Sequence, residues 1–247
     1  MRALILGGTG EARALASKLV QAGWHVTSSL AGRVSEPKLP EGNVRIGGFG
    51  GPAGLAKWLL ADATEVIIDA THPFAERISE SAAEAARATG IPLVALHRPA
   101  WDEVRGDQWL HVANMQEAAE LVRRRFRAPF LTIGRQQLAH FADDREGRYL
   151  IRSVETPSGP LPRNRRIVLS RGPFDVPSER KIMRDYAVDC VVTKNSGGPQ
   201  TYAKIEAARD LKKPVVIVDR PALPGADIAT VTHTVDDAFD YIRRNFM

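Results

Sequence analysis

The run Thr193-Lys194-Asn195-Ser196-Gly197-Gly198 has the residue types that hold anions. Lysine brings a point charge, asparagine an amide, and the glycines expose backbone N–H groups. It follows an apolar stretch, Asp189-Cys190-Val191-Val192, and precedes a helix expected from about Thr201 to Lys212. Val66-Ile67-Ile68-Asp69 runs in the same way into Ala70-Thr71-His72-Pro73-Phe74. Proline fixes the backbone before it, so His72 is held in a defined loop. A histidine there can donate a hydrogen bond or a proton. Lys194 and Tyr202 can also supply a proton, and the sequence does not choose among the three.

A third stretch, Gly7-Gly8-Thr9-Gly10-Glu11-Ala12, lies between the strand Met1–Leu6 and a helix reaching about Ala22. Glycines let backbone approach a pyrophosphate, and the helix N-terminus offers N–H donors and partial positive charge. This is the place of the Rossmann dinucleotide fingerprint, although Ala12 and Arg13 stand where its third glycine would fall. The strand Trp24–Leu30 should end in Asp or Glu if it reads the ribose 2′-hydroxyl of NAD. No acidic residue occurs from Trp24 to Ser35; Ser28, Ser29, Gly32 and Arg33 do. A guanidinium pairs with phosphate through parallel hydrogen bonds, so the expected cofactor is NADPH, read by Arg33 with Ser28 or Ser29. Gly47 and Gly48, in the loop Gly47-Gly48-Phe49-Gly50-Gly51-Pro52, and Thr71 complete the expected cofactor set.

The net charge is +5, which suits an acidic partner. No nucleic-acid recognition motif is present and aromatic residues are only 6%, so a small polyanion fits better than nucleic acid. Its expected ligands are Arg171, Thr193, Lys194, Asn195, Ser196, Gly197 and Lys204. No metal-ligand spacing or paired carboxylates occur, so no catalytic metal is expected. Sugar-nucleotide chemistry would want Tyr-x-x-x-Lys. Tyr149, Tyr186, Tyr202 and Tyr241 are instead followed four residues on by Ser153, Cys190, Glu206 and Asn245. Cys190 is the one cysteine; it excludes an internal disulfide and reads as a buried thiol. No apolar run is long enough for a membrane span. The N-terminus reads as a strand and not a secretory signal, and the expected location is the cytoplasm.

These loops need strands to position them, and the strands recur. Glu84–Ala100 moved by 122 residues falls on Glu206–Ala222, and 82–100 against 204–222 holds nine identities where chance gives about one or two. The same shift carries Thr71 onto Thr193 and predicts that they correspond. Glu117–Phe126 resembles Asp237–Phe246 at a shift of 120. The chain therefore reads as α/β, two similar βα arrays of parallel strands. The halves are expected at 1–104, for cofactor, and 105–247, for substrate, with a boundary near Trp101–Asp107 and room for strand exchange. Phe130-Leu131-Thr132-Ile133-Gly134-Arg135 is too bulky a turn for a second dinucleotide, and Arg135 is expected to touch substrate or structure.

The three stretches Leu6–Ala12, Asp69-Ala70-Thr71-His72-Pro73-Phe74-Ala75 and Thr193–Gly198 together resemble the precorrin-6A reductase family of cobalamin biosynthesis, over essentially the whole chain. The resemblance implies two Rossmann-like domains with the active site in the cleft between them. It implies NADPH-dependent reduction of one double bond of the precorrin-6A macrocycle to give precorrin-6B. The many carboxylates of that macrocycle agree with the basic balance. The resemblance also admits a cobalt-containing substrate, and other corrin-pathway enzymes as partners. The competing class is a tetrapyrrole- or nucleotide-binding protein without turnover.

Overall fold

The computed structural model describes residues 1–32 and 38–246. It divides into two compact units, Met1–Pro99 with Pro221–Met247, and Ala100–Arg220. The first unit opens with β1 (Arg2–Leu6), α1 (Gly10–Gln21), β2 (His25–Leu30), β3 (Asn43–Ile46), α2 (Pro52–Ala61), β4 (Val66–Asp69), α3 (Glu76–Thr89) and β5 (Leu93–Leu96). The second contains β6 (Trp109–Val112), α4 (Met115–Arg125), β7 (Pro129–Leu131), β8 (Arg148–Ser153), β9 (Asn164–Leu169), α5 (Val176–Asp185), β10 (Cys190–Lys194), α6 (Ala203–Asp210) and β11 (Val215–Val218). The chain then returns to the first unit with β12 (Thr230–Thr232) and α7 (Val235–Phe246).

Each unit is built on one six-stranded sheet, ordered β12-β5-β4-β1-β2-β3 and β6-β11-β10-β7-β8-β9. Every strand pair is parallel. This is the doubly wound Rossmann order, present twice. Strands covered on both faces read as unbroken apolar runs, as Val66–Ile68 and Val215–Val218 do. In the first sheet Ala3, Ile5, Val66 and Ile68 pack with α1 and α7, whereas Leu4, Leu6 and Ile67 pack with α2 and α3. Full burial of one such Leu or Ile contributes about 1.5–3 kcal/mol.

The sixth strand of the first sheet, β12, differs from the expected halves, whereas β6 lies in the half expected for it. β6 follows β5 in the chain but pairs with β11, and β12 follows β11 but pairs with β5. Residues 221–247, read from the sequence with the second half, thus complete the first unit, and the first crossing lies at Pro99–Ala100, next to the expected Trp101–Asp107. The physical reason is core closure. Ala238 and Ile242 of α7 are fully buried in the core that α7 forms with α1 and β5.

Pairing also refines the repeat. Leu93 and Val215 are 122 apart, but their partners Ile67 and Val191 are 124 apart. By register Asp69 corresponds to Thr193 and Thr71 to Asn195, not Thr71 to Thr193. The second loop is shorter by two residues.

Candidate active site

Ligands of open α/β sheets bind outside the carboxyl ends of the strands. At that edge of the first unit, Thr9 caps α1: its Oγ1 accepts from Ala12 N at 3.0 Å and donates to Ala70 O at 2.8 Å. One hydroxyl therefore ties the glycine turn to the loop after β4. Gly8 has φ +111°, which side-chain-bearing residues rarely adopt, and a Cβ there would meet nothing within 4 Å. A Cβ on Gly7 would stand 3.3 Å from that of Ala12, so the close approach expected of a third glycine is made by this pair. Backbone N–H groups in the first turn lack intrahelical acceptors. The turn fits a pyrophosphate on these grounds. Glu11 opposes it electrostatically, but its carboxylate is paired with Arg98, Nη1 to Oε2 at 3.1 Å.

After β4, Asp69 is buried and its Oδ1 accepts from Thr71 N at 3.1 Å and Thr71 Oγ1 at 2.7 Å. His72 Nδ1 accepts from Phe74 N at 3.2 Å, which assigns the ring proton to Nε2. Of the 2′-phosphate readers, Ser28 and Ser29 are corrected by burial. Both lie inside β2 at 2% and 8% exposure, and Ser28 Oγ is enclosed without a partner. Arg33 lies outside the described residues. Gly47 and Gly48 give their carbonyls to Arg45, at 2.6 and 2.7 Å, and that guanidinium lies 3.9 Å over the Phe49 ring.

In the second unit Lys194 ends β10 and is half-buried, and Ser196 and Gly197 follow it at the carboxyl edge. Arg171 is exposed just beyond β9. Three other expected contacts are inside the fold. Thr193 is 1% exposed and its Oγ1 donates to Lys194 O. Asn195 spends its amide on the backbone of Trp101, accepting at 2.8 Å and donating at 3.0 Å. Lys204 is buried, donates from Nζ to Thr201 O at 2.8 Å and lies 4.9 Å over the Trp101 ring. Burial, with the Arg152 cation adding to it and Glu179 opposing, pushes the ammonium down to about 7. Tyr202 accepts from Arg209 Nη2 at its hydroxyl, 2.9 Å, and Arg209 is also bound to Asp107, which precedes β6. Because α6 runs back toward the amino ends of the strands, that hydroxyl points away from the loop. Arg135 is paired with Glu155 at 2.8 Å.

Among the described residues, no cluster of three His, Cys, Asp or Glu could hold a metal ion, and no helix is long and apolar enough to cross a membrane. Residues 2–243 match the family described as precorrin-6x reductase CbiJ/CobK. The chain belongs to that family. It is 51% identical over 237 residues to a precorrin-6A reductase of Rhodococcus erythropolis, covering 96% of this chain and 94% of the relative. It is 29% identical to a cobalt-precorrin-6A reductase of Priestia megaterium, covering 95% of each. A solved structure, CobK precorrin-6A reductase, is similar with TM-score 0.92 and 39% identity over 99% of this chain and 96% of that one.

In this chain the residues around these loops that residue types alone did not reveal are supports. Arg98 stands in a strand-end loop and neutralises Glu11 across 87 positions of sequence. Arg152 and Glu179 form a buried ion pair beneath Phe174. Trp101 sits in a stretch that reads as irregular. The one legible signal for it was the indole itself, a large apolar body with a single donor.

Proposed function

We propose that the protein reduces precorrin-6A to precorrin-6B with NADPH as hydride donor, in cobalamin biosynthesis. The observation that carries this is the Thr9-capped glycine turn at the head of a Rossmann-ordered sheet, in a chain of the precorrin-6x reductase family. Gly7–Ala12 would hold the pyrophosphate, with Thr71 and the Gly47-Gly48 loop alongside and Arg33 on the 2′-phosphate. The bound dinucleotide supplies a hydride; the chain supplies orientation and charge. Lys194, Arg171, Ser196 and Gly197 hold carboxylates of the macrocycle, and Thr193, Asn195 and Lys204 support that loop from below. Of the three proton sources, the geometry favours His72 through Nε2–H or Lys194, since the Tyr202 hydroxyl is engaged by Arg209. Greater likeness to the Rhodococcus relative than to the cobalt-precorrin relative favours the metal-free substrate. Activity in the cytoplasm is the reading the composition supports. The test is NADPH oxidation followed by absorbance with and without precorrin-6A. Oxidation that requires the macrocycle and yields a product heavier by two hydrogens supports the proposal. Binding of both without oxidation would mark a non-catalytic carrier, and turnover only of cobalt-precorrin-6A would transfer the assignment to that substrate.

A further inference from the structure

We propose that Trp101 is a positioning residue for the reduction: it fixes the backbone of Asn195–Gly198 so that this loop meets the macrocycle's carboxylates already formed. The inference rests on the reading of that loop as the substrate's. Trp101 is 8% exposed and touches the loop and the following turn at successive points. Its backbone N donates to Asn195 Oδ1 and its carbonyl accepts from Asn195 Nδ2, at 2.8 and 3.0 Å, so the asparagine amide docks as a strand edge would. Its indole Nε1 donates to Gly198 O at 2.9 Å. Its ring packs 5.7 Å from that of Tyr202 and carries the Lys204 ammonium at 4.9 Å. Lys204 in turn holds Thr201 O. The residue thus grips the segment 195–204, with its backbone before the glycines and its indole at Gly198 and beyond.

The glycines explain why such a grip is needed. Gly197 and Gly198 have φ of +65° and +75°, and an untethered glycine pair has the most backbone freedom to lose on ordering. Donors that are already in place stabilise an anion without reorganising when it arrives. Asn195 cannot be lost to the substrate while both ends of its amide are spent on Trp101. Its carbonyl is likewise taken, accepting from Arg220 Nε at 2.7 Å. Trp101 and Arg220 therefore hold one residue from the two ends of the second unit's own chain segment.

Replacing Trp101 by Phe keeps a ring but removes the Nε1–H donor to Gly198. We expect Trp101→Phe to raise KM for precorrin-6A about three- to tenfold, the effect of one lost hydrogen bond, with kcat and NADPH affinity within about twofold of the parent. A merely structural role would lower the active fraction, and so kcat, while leaving KM unchanged; that result overturns the proposal. Should Trp101→Phe fail to fold, benzothienylalanine at position 101, which exchanges only N–H for sulfur, tests the same bond with the same criteria. Lys194→Ala measured alongside separates the two readings. A raised KM in Lys194→Ala with a parent-like Trp101→Phe overturns the positioning role alone. A parent-like KM in Lys194→Ala overturns the assignment of the loop to the macrocycle, and the positioning role with it.

Discussion

Lys194 and Lys204 show how one residue type takes opposite charge chemistry from its surroundings. Lys204 is enclosed, and its ammonium is pushed down to about 7 from an ordinary 10.5. Between those values the unfolded chain binds a proton that the folded chain does not, so stability should rise with pH from about 7 upward. Above about 9 the buried Cys190 thiol and the Tyr149 phenol, both raised, work in the other direction. Urea unfolding at pH 7 and 9 should show the rise in the parent and a flattened difference in Lys204→Met; an equal rise in both would remove Lys204 as its cause. Lys194 is at the strand end, where charge recognition is screened over a Debye length of about 8 Å at physiological ionic strength. KM for the macrocycle should rise with added salt, and Lys194→Ala should raise it further while sparing NADPH; a loss confined to NADPH would reverse the assignment of the two units. Arg33→Ala should weaken NADPH about ten- to a hundredfold, the worth of a charge-assisted pair, and NADH little. Titration with both cofactors decides it. At this scale the sequence shows residue types but not their partners. Asn195, Ser28 and Tyr202 looked like ligands because amides and hydroxyls bind ligands. Trp101, from a distant segment, claims Asn195; Arg209, two helical turns on, claims the Tyr202 hydroxyl; and burial alone removes Ser28 from the strand's end.

Thr9 belongs to the scale of elements, since its one hydroxyl starts α1 and anchors the loop after β4. Thr9→Ala should cost about 1 kcal/mol of stability for the lost cap. It should also weaken NADPH, because the turn and its neighbour are released together. Thr9→Ser should restore most of both; calorimetry and dinucleotide titration on the three proteins would show it, and a Ser variant as impaired as Ala would point to the methyl group instead. Element positions were largely open to reading. β5 and β11 stand at the 122-residue shift because their apolar runs are long enough to register. Thr71 and Thr193 were misaligned because a two-residue difference inside a polar loop leaves no periodic trace. β6 and β12 were unread for another reason: runs as short as Trp109–Val112 and Thr230–Thr232 become strands through pairing with β11 and β5. Local pattern cannot report a partner that lies about a hundred residues or more away.

At the scale of the whole molecule, the first sheet takes its outer strand, β12, from a segment that follows the whole second unit in the chain. A chain ending at Arg220 would keep the second unit's segment intact but strip β12 and α7 from the first, exposing the face that Ala238 and Ile242 cover. Such a truncation should abolish NADPH binding and the cooperative melting of the first unit while leaving a folded second unit. Circular dichroism melts with dinucleotide titration would test this, and retained NADPH binding would show that α7 is dispensable. The same arrangement bears on how the chain emerges during synthesis. Domains usually fold in order as they leave the ribosome, the N-terminal one first. Here the segment Ala100–Arg220 is contiguous and can close as soon as it is clear of the exit tunnel. The earlier-made residues 1–99 must wait, with β5 an open edge, until residues 230–246 have followed. The part of the protein translated first is thus the last to finish folding.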